Sequence, residues 1–252
     1  MTRRRFTVLI TGMIALAGLI VLPALEAAAD TFVVYGASGR VGGIIVDEAL
    51  SRGHDIVGVS RNPAGLTNDH AYFSGVAGDV TNVESMLAVI GEAQPDAVIF
   101  AVNGIGPSNS PDTAITSLAA KTFIAAVGEL GDAAPHVIQV SGGTTLWLNG
   151  VWGLDDPELT EGTGRHGRYF GHWQAIEAYR ASAGVKWTVM TPPPAAMTPG
   201  ERTGEYRLGL EEVLFDVEGE NYLSTQDFAA AIIDEAESGV SMGKRVAVGP
   251  VY

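Results

Sequence analysis

Three glycines recur at a spacing of three residues, directly after β-branched residues and a tyrosine, in the sequence VVYGASGRVGG. Backbone without side chains lets a turn approach another molecule closely, and the unpaired amides at the start of a helix attract anions. A strand, such a turn and a helix in succession are typical of the site that binds the diphosphate of a dinucleotide. The sequence therefore predicts dinucleotide binding by Gly36, Ser38, Gly39, Arg40, Val41 and Gly42.

The end of the second predicted strand, in GVSRNP, indicates which dinucleotide is preferred. Sites that prefer NAD place an acidic residue there to hold the ribose 2′-hydroxyl, whereas this sequence has Ser60, Arg61 and Asn62. Arg61, together with Arg40 from the glycine turn, could pair with a 2′-phosphate, because guanidinium groups bind phosphate bidentately. We therefore expect NADP(H) to be preferred over NAD(H). The alternative is that both arginines are solvated surface side chains.

Residues after the later predicted strands complete the expected cofactor site. Asp79 would accept a hydrogen bond from the adenine amine, and Val80 would pack against the adenine ring. Small residues after the fourth strand would lie near the middle of the cofactor, and prolines that end the sixth strand would border the nicotinamide. These residues are Ala101, Val102 and Asn103 after the fourth strand, and Pro192 and Pro193 after the sixth.

Short apolar runs alternate with longer amphipathic ones after Asp30, without an internal repeat or an obvious linker. The strands lack polar alternation, as expected when helices cover both faces of a parallel sheet. This pattern predicts an α/β fold, a doubly wound parallel sheet of the Rossmann type in a single domain. The predicted strands are 31–35, 55–59, 71–76, 97–101, 136–140, 186–190 and 245–248, and the predicted helices are 39–52, 83–93, 113–130, 170–182 and 226–237.

Two stretches, 142–168 and 192–223, interrupt the alternation and are rich in Gly, Pro and charged residues. Each follows a predicted strand, so each leaves the sheet at its carboxyl edge, where open α/β sheets bind ligands. We interpret them as the walls of a substrate site. The alternative is that they are surface insertions, since loops tolerate changes in length.

Residues 1–29 have the pattern of an export signal, and residues 30–252 form the predicted folded domain. A basic start at Arg3, Arg4 and Arg5 precedes an apolar stretch, and small residues follow it before Asp30, as at a signal cleavage site. We expect the protein to be periplasmic or extracellular, with no stable membrane span after cleavage. If the signal were not cleaved, it would anchor the protein in the membrane.

The segment TRRRF, residues 2–6, resembles the twin-arginine motif, in which two arginines follow Ser or Thr and precede any residue and then Phe. That pathway exports folded proteins, often with a cofactor bound. Ordinary export of the unfolded chain is the alternative, because a basic start is common to all secretory signals.

Composition excludes several function classes. The chain has 252 residues, no cysteine and a formal net charge of −14. Disulfides, thiolate metal sites and a cysteine nucleophile are therefore excluded. An acidic surface repels nucleic acid, so we expect no nucleic-acid partner. The five histidines have no spacing typical of metal ligands, and we expect no metal site. The composition neither indicates nor excludes a homodimer.

The chain resembles the atypical short-chain dehydrogenases, and among them the NmrA-like and NADH-flavin reductase-like NAD(P)H-binding proteins. The resemblance covers nearly all of 31–252 and rests on GASGRVG, GHDIVGVSRNP, GDV and VSGG. The longer segments PGERTGEYRLG at 199–209 and STQDFAAAIIDE at 224–235 are more distinctive. The resemblance implies a Rossmann fold and a reduced nicotinamide cofactor.

The catalytic candidates are Ser141, Tyr169 and His172. Standard short-chain dehydrogenases use a Ser after the fifth strand and a YxxxK pair, in which the Lys lowers the pKa of the Tyr. Ser141 and Tyr169 fit the first two positions, but Trp173 occupies the Lys position. His172 could act as the proton donor instead, or it is a polar residue on a helix surface.

A flavin- or quinone-like acceptor needs no such acid, because water can supply the proton after hydride transfer from NADPH. We therefore predict an NAD(P)H-dependent oxidoreductase that reduces such a small-molecule acceptor, and a flavin used as substrate is one candidate. The aromatic residues Trp147, Trp152, Tyr169 and Trp173 could wall the acceptor cleft, or they belong to the core. Two alternatives stay open: a non-catalytic NADP(H)-binding redox sensor, and a carbonyl or sugar dehydrogenase that uses Ser141 and Tyr169.

Overall fold

The computed structural model describes residues 29–194 and 197–252, and the predicted signal segment 1–29 lies almost wholly outside them. An eight-stranded sheet runs in the order β3-β2-β1-β4-β5-β8-β10-β9, and β6 and β7 form a separate hairpin. The strands are β1 Thr31–Tyr35, β2 Asp55–Ser60, β3 Phe73–Ala77, β4 Ala97–Phe100, β5 His136–Val140, β6 Trp147–Leu148, β7 Val151–Trp152, β8 Trp187–Thr191, β9 Arg207–Gly209 and β10 Lys244–Gly249. The helices are α1 Arg40–Ser51, α2 Val83–Ala93, α3 Ile115–Leu130, α4 Gly164–Ala181 and α5 Thr225–Ser238.

The sheet is parallel except for β9, which pairs antiparallel with β10 at one edge. Strands β1, β4, β5 and β8 lie in its interior, and their residues are almost entirely buried. Helices α1 and α5 cover one face of the sheet, and α2, α3 and α4 cover the other. The predicted doubly wound Rossmann fold is therefore confirmed.

Helix α4 begins at Gly164, six residues before the predicted start, and takes its first turn from the stretch predicted to be loop. The Thr163 hydroxyl caps the helix by accepting a hydrogen bond from the His166 amide at 3.2 Å. Gly167 and Gly171 lie on the side of α4 that packs against residues 105–114. A Cβ atom at Gly167 would lie 2.2 Å from the Asn109 carbonyl oxygen, and one at Gly171 would lie 2.1 Å from the Ala114 Cβ.

The stretch 192–223 contains β9, which sequence reasoning missed because only three residues pair with β10. Part of this stretch is fixed to the helices of the first face. The Gly204 amide and the Thr203 hydroxyl both donate hydrogen bonds to the buried Asp227 carboxylate of α5, at 2.7 and 2.9 Å. The segments PGERTGEYRLG and STQDFAAAIIDE therefore contact each other directly.

Among residues 29–194 and 197–252, no helix is both long and apolar enough to span a bilayer. In the same ranges, no three histidine, aspartate or glutamate side chains are grouped so that they could hold a metal ion.

Candidate cofactor groove and the adjoining β5–α4 cluster

A groove of about 520 Å³ opens at the carboxyl edge of the sheet, above β1. The loops after β1, β2, β3 and β4 all contribute to it, which is the place where open α/β sheets bind ligands. Twelve of the sixteen residues predicted to bind the cofactor line this groove: Gly36, Ser38, Gly39, Arg40, Val41, Ser60, Arg61, Asp79, Val80, Ala101, Val102 and Asn103.

Two glycines of the turn lack a side chain for different reasons. Gly36 has a φ of +84°, and a Cβ there would lie 2.5 Å from the Ala101 carbonyl oxygen, so this glycine is required by backbone geometry. A Cβ at Gly39 would meet only the Gly36 carbonyl oxygen, at 3.0 Å, and its other side is open. Gly39 is thus the position where a missing side chain leaves room for a ligand.

Helix α1 presents its amino end to the groove. Gly39 caps the helix with its backbone, and no acidic side chain occurs in the first turn. The first amides of a helix have no acceptor within it and carry a partial positive charge, so this end attracts an anion. Together with the open space at Gly39, it forms a cradle that fits the diphosphate of a nucleotide.

Two arginines flank the cradle, and they differ in whether the guanidinium group has a hydrogen-bond partner in the described structure. Arg61 lines the groove, is exposed, and makes no hydrogen bond or ion pair within the two ranges that the structure describes. Arg40 also lines the groove, but its guanidinium donates a hydrogen bond to the Met197 carbonyl oxygen. Arg61 is therefore the more available of the two for an anionic ligand.

Asp79 is held in place after β3. Its Oδ1 atom accepts hydrogen bonds from the Thr81 amide at 2.9 Å and the Thr81 hydroxyl at 2.7 Å. These hydrogen bonds, with a smaller contribution from the Arg61 charge, hold the pKa of Asp79 below its usual value. Asp79 is therefore an ionised acceptor at neutral pH.

Four predicted cofactor residues do not line the groove. A Cβ at Gly42 would lie 2.1 Å from the Gly36 carbonyl oxygen, so this glycine lets α1 pack closely against the turn. Asn62 is exposed beyond the groove, and its amide donates to the Ser60 hydroxyl. Pro192 and Pro193 are buried at the end of β8, and a Cβ at Gly143 would lie 2.6 Å from the Pro193 carbonyl carbon.

The β5–α4 cluster, as we use the term, comprises Ser141 directly after β5 and His172 and Trp173 on α4, none of which is among the residues that line the groove. A Cβ at Gly142 would lie 3.0 Å from the His172 Cδ2 atom, so the imidazole packs against the backbone that follows Ser141. The Ser141 Oγ and the His172 Nδ1 are buried without a hydrogen-bond partner in the described parts of the chain. Buried polar atoms normally have a partner, so both are candidates for contact with water or a ligand.

His172 is neutral at physiological pH. Its complete burial, and secondarily the charge of Arg168, lower its pKa to about 4. The residue is therefore not the surface side chain that we considered from the sequence, and it is not the acid with a pKa near neutrality that the alternative needed. A neutral imidazole can still donate or accept one hydrogen bond.

Three tryptophans come together around the β6–β7 hairpin and α4. Trp147 and Trp152 stack with their ring centroids 6.3 Å apart, and Trp152 meets Trp173 edge to face at 4.9 Å. Tyr169 is half-buried outside this cluster, with the Arg165 guanidinium 5.7 Å above its ring. The structure thus joins three of the four aromatic residues predicted to wall a cleft.

Comparison with known proteins places these features in a family. A family model described as NAD(P)H-binding matches residues 36–238. This range spans the glycine turn, every residue that lines the groove except Tyr35, and the β5–α4 cluster. The chain belongs to the NAD(P)H-binding family. The family resemblance predicted from the sequence is confirmed at this level.

Several solved structures have the same fold as this chain. A Bacteroides thetaiotaomicron protein provisionally called an epimerase is 26% identical, with a TM-score of 0.72 over 89% of this chain and 98% of that one. A Burkholderia pseudomallei protein provisionally called an exported protein is 26% identical, with a TM-score of 0.69 over 87% and 99%. A Streptococcus pneumoniae TIGR4 protein provisionally called an NADH-flavin reductase is 23% identical, with a TM-score of 0.70 over 88% and 100%.

Sequence reasoning missed five of the residues that line the groove. Some had a local signal, because Tyr35 directly precedes the first glycine and Thr81 follows Asp79 by two residues. Ile115 had none, since it reaches the groove from the first turn of α3. The five missed residues are Tyr35, Val59, Gly78, Thr81 and Ile115.

Proposed function

We propose that the protein is an NADPH-dependent oxidoreductase that passes a hydride to a flavin- or quinone-like acceptor. The observation that carries this proposal is the groove itself, in which an open glycine turn, the amino end of α1 and an Arg61 without a partner among the described residues surround one space. A bound nicotinamide supplies the hydride, and the protein supplies position and exclusion of water.

Arg61 supports the preference for NADPH over NADH. It follows β2 at the place where a carboxylate would hold an unmodified ribose, and among the described residues that line the groove only Asp79, after β3, carries a carboxylate. A 2′-phosphate would also offer Arg61 the bidentate anion that it lacks within the described residues. Arg40 would contribute only if it released the Met197 carbonyl.

The β5–α4 cluster favours an acceptor that needs no protein acid. Trp173 stands where the standard dehydrogenases have a Lys, and it packs against Trp152 and below the Arg180 guanidinium, 5.4 Å from its ring centroid. His172 has a pKa of about 4, so almost none of it is imidazolium at neutral pH and it cannot serve as the general acid. An electron-poor ring such as a flavin or quinone can take its proton from water. The name of the Streptococcus pneumoniae protein is consistent with this class of acceptor.

A carbonyl or sugar substrate is the second candidate, and one observation favours it. The buried Ser141 Oγ lacks a partner in the described residues, as expected of a hydroxyl that hydrogen-bonds a substrate carbonyl. Tyr169 would then have to donate the proton without a neighbouring Lys to lower its pKa.

Turnover assays separate these functions. Purified protein is mixed with NADPH and one of three partners: FMN, a soluble quinone, or a panel of ketones and sugars. We expect steady loss of nicotinamide absorbance with FMN or the quinone, and a slower rate with NADH. Loss only with a carbonyl compound would favour the dehydrogenase. Tight NADPH binding without turnover in any mixture would replace the proposal with a redox sensor.

We also propose that the protein is exported before it acts. The twin-arginine-like segment TRRRF supports export of a folded chain that already holds its cofactor. The Burkholderia pseudomallei relative, which is called an exported protein, is consistent with this location.

A further inference from the structure

We propose that Tyr35 recognises the nucleobase: its hydroxyl hydrogen-bonds the adenine ring of a nucleotide bound in the groove. This inference rests on the proposed function, because it names the part of the dinucleotide that this tyrosine reads. Tyr35 was not among the residues that the sequence motifs indicated.

The ring of Tyr35 has a fixed position in the groove. Tyr35 is the last residue of β1, directly before the glycine turn, and it is among the residues that line the groove although only 2% of the residue is exposed. Its ring meets Phe100 edge to face, with the centroids 5.4 Å apart. Strand pairing and this aromatic contact hold the residue in place.

The hydroxyl of Tyr35 lacks a partner. Its Oη atom is buried and makes no hydrogen bond with residues 29–194 or 197–252. A buried hydroxyl without a partner costs free energy, and native proteins rarely leave one unless water or a ligand completes it. Burial, and to a lesser extent the charge of Asp79, raises the pKa of Tyr35, so the hydroxyl stays protonated and can donate.

The chemistry next to Tyr35 matches adenine. Asp79 lines the same groove as Tyr35, and its Oδ2 atom accepts no hydrogen bond from the described residues. The lining of the groove therefore contains a donor, an acceptor and the apolar residues Val59 and Val80. Adenine carries the N6 amine as a donor beside a ring nitrogen that accepts, whereas guanine carries an oxygen that would face the Asp79 carboxylate.

Replacing Tyr35 with Phe tests the proposal, because Y35F removes one oxygen and keeps the ring. The probe is 2′,5′-ADP, which has the adenine and the 2′-phosphate but no nicotinamide. We expect calorimetry to show binding about five- to tenfold weaker than in the wild type, as for the loss of one hydrogen bond. Without ligand, the melting temperature should stay the same or rise, because the hydroxyl has no partner to lose.

Tyr179→Phe is the matched control. The Tyr179 hydroxyl is also buried, but it donates to the Gln139 Oε1 atom at 3.0 Å, away from the groove. Y179F should therefore lower the melting temperature by about 2–4 °C or more and leave the affinity for 2′,5′-ADP unchanged. Opposite effects of the two substitutions on stability and on affinity are the expected result.

The outcomes distinguish this inference from the proposed function. If the wild type binds 2′,5′-ADP and Y35F binds it equally well, Tyr35 does not read the base, and the proposed function stands. If Y35F lowers the melting temperature as much as Y179F, its hydroxyl has a structural partner and the inference is overturned. If the wild type binds neither 2′,5′-ADP nor NADPH, both the inference and the proposed function are rejected.

Discussion

Arg202 donates hydrogen bonds of 2.6 and 2.7 Å to the two carboxylate oxygens of Glu48, although 154 positions separate these residues in the sequence. Glu48 lies on α1 and is almost fully buried, whereas the Arg202 side chain is about half exposed. This bidentate pair attaches the segment 199–209 to the helix whose amino end faces the groove, so it links the distinctive family segment to the cofactor site.

Arg202→Gln should lower the free energy of unfolding by about 1–3 kcal/mol, because it removes two charge-assisted hydrogen bonds from a buried carboxylate. Arg52 would remain as the partner of Glu48. Urea titration measures the change, and limited proteolysis should show faster cleavage within 199–209. Arg165→Gln is the control, since its ion pairs with Asp156 and Glu158 are 3.6 Å long and exposed. Equal stability of the two variants would refute the structural role of the Arg202 pair.

Arg61→Gln should weaken NADPH binding by about 10- to 100-fold and leave NADH binding nearly unchanged, because only NADPH carries the 2′-phosphate. Titration of each nucleotide by calorimetry or fluorescence measures both affinities. Lys121→Gln removes the same charge from an exposed position on α3 that does not line the groove. A similar loss in both variants would indicate a general field effect instead of a phosphate contact.

Two glycines of the turn should respond differently to substitution, because Gly36 is required by the backbone conformation and Gly39 by the space left for a ligand. Gly36→Ala should destabilise the protein strongly, because the residue has a positive φ and its Cβ would strike the Ala101 carbonyl oxygen. Gly39→Ala should fold with a smaller loss of stability and bind NADPH at least tenfold more weakly, since its Cβ enters the open side of the turn. Thermal melting and nucleotide titration of both variants check this. Undiminished binding by folded Gly39→Ala would exclude the diphosphate from this turn.

Acid should destabilise the protein through two buried histidines. Burial and a nearby positive charge lower the pKa of His172, beside Arg168, and of His136, beside Lys186, to about 4, below the ordinary value of 6.5. Between about pH 4 and 6.5, the unfolded chain therefore binds more protons than the folded one, so this stability is complete above the window and is lost as pH falls through it.

Denaturant titrations between pH 4.5 and 7.5 measure this dependence. His172→Asn should flatten it, because the variant has one fewer buried group that must stay neutral to fold. The exposed His70→Asn serves as the control and should leave the slope unchanged. An unaltered slope in the His172 variant would show that this histidine does not contribute.

Changing both Arg3 and Arg4 to Lys should block export, because the twin-arginine pathway requires the two arginines. Arg5, which occupies the variable position of TRRRF, provides the control, and Arg5→Lys should be exported normally. Fractionation of cells that express each variant measures the outcome. Normal export of the double variant would point to the general secretory route.

Local patterns predicted most of the fold and most of the groove. The prediction for β5 and α2 was correct to the residue, because each element is a continuous apolar or amphipathic run with clear ends. Most groove residues follow directly after β1, β2, β3 or β4, and a parallel sheet brings all these ends to one edge. The position of these residues directly after predicted strands was therefore enough to predict that they lie together.

Features that depend on tertiary contacts were not predicted. The start of α4 is rich in glycine, which disfavours helix, and the packing of Gly167 and Gly171 against residues 105–114 compensates for that preference. Pro192 and Pro193 follow β8 as predicted, but β5 lies next to β8, Pro193 packs against Gly143 after β5, and neither proline lines the groove.

The glycines of α4 have a consequence for the other residues that this helix carries. A larger residue at Gly167 or Gly171 would force the helix away from residues 105–114, and the helix carries Tyr169 and His172. The position of α4 relative to the end of β5 therefore depends on small residues that pack against another part of the chain. A relative with larger residues at these two positions would hold the helix elsewhere, and could handle molecules of another size without altering a single group in contact with them.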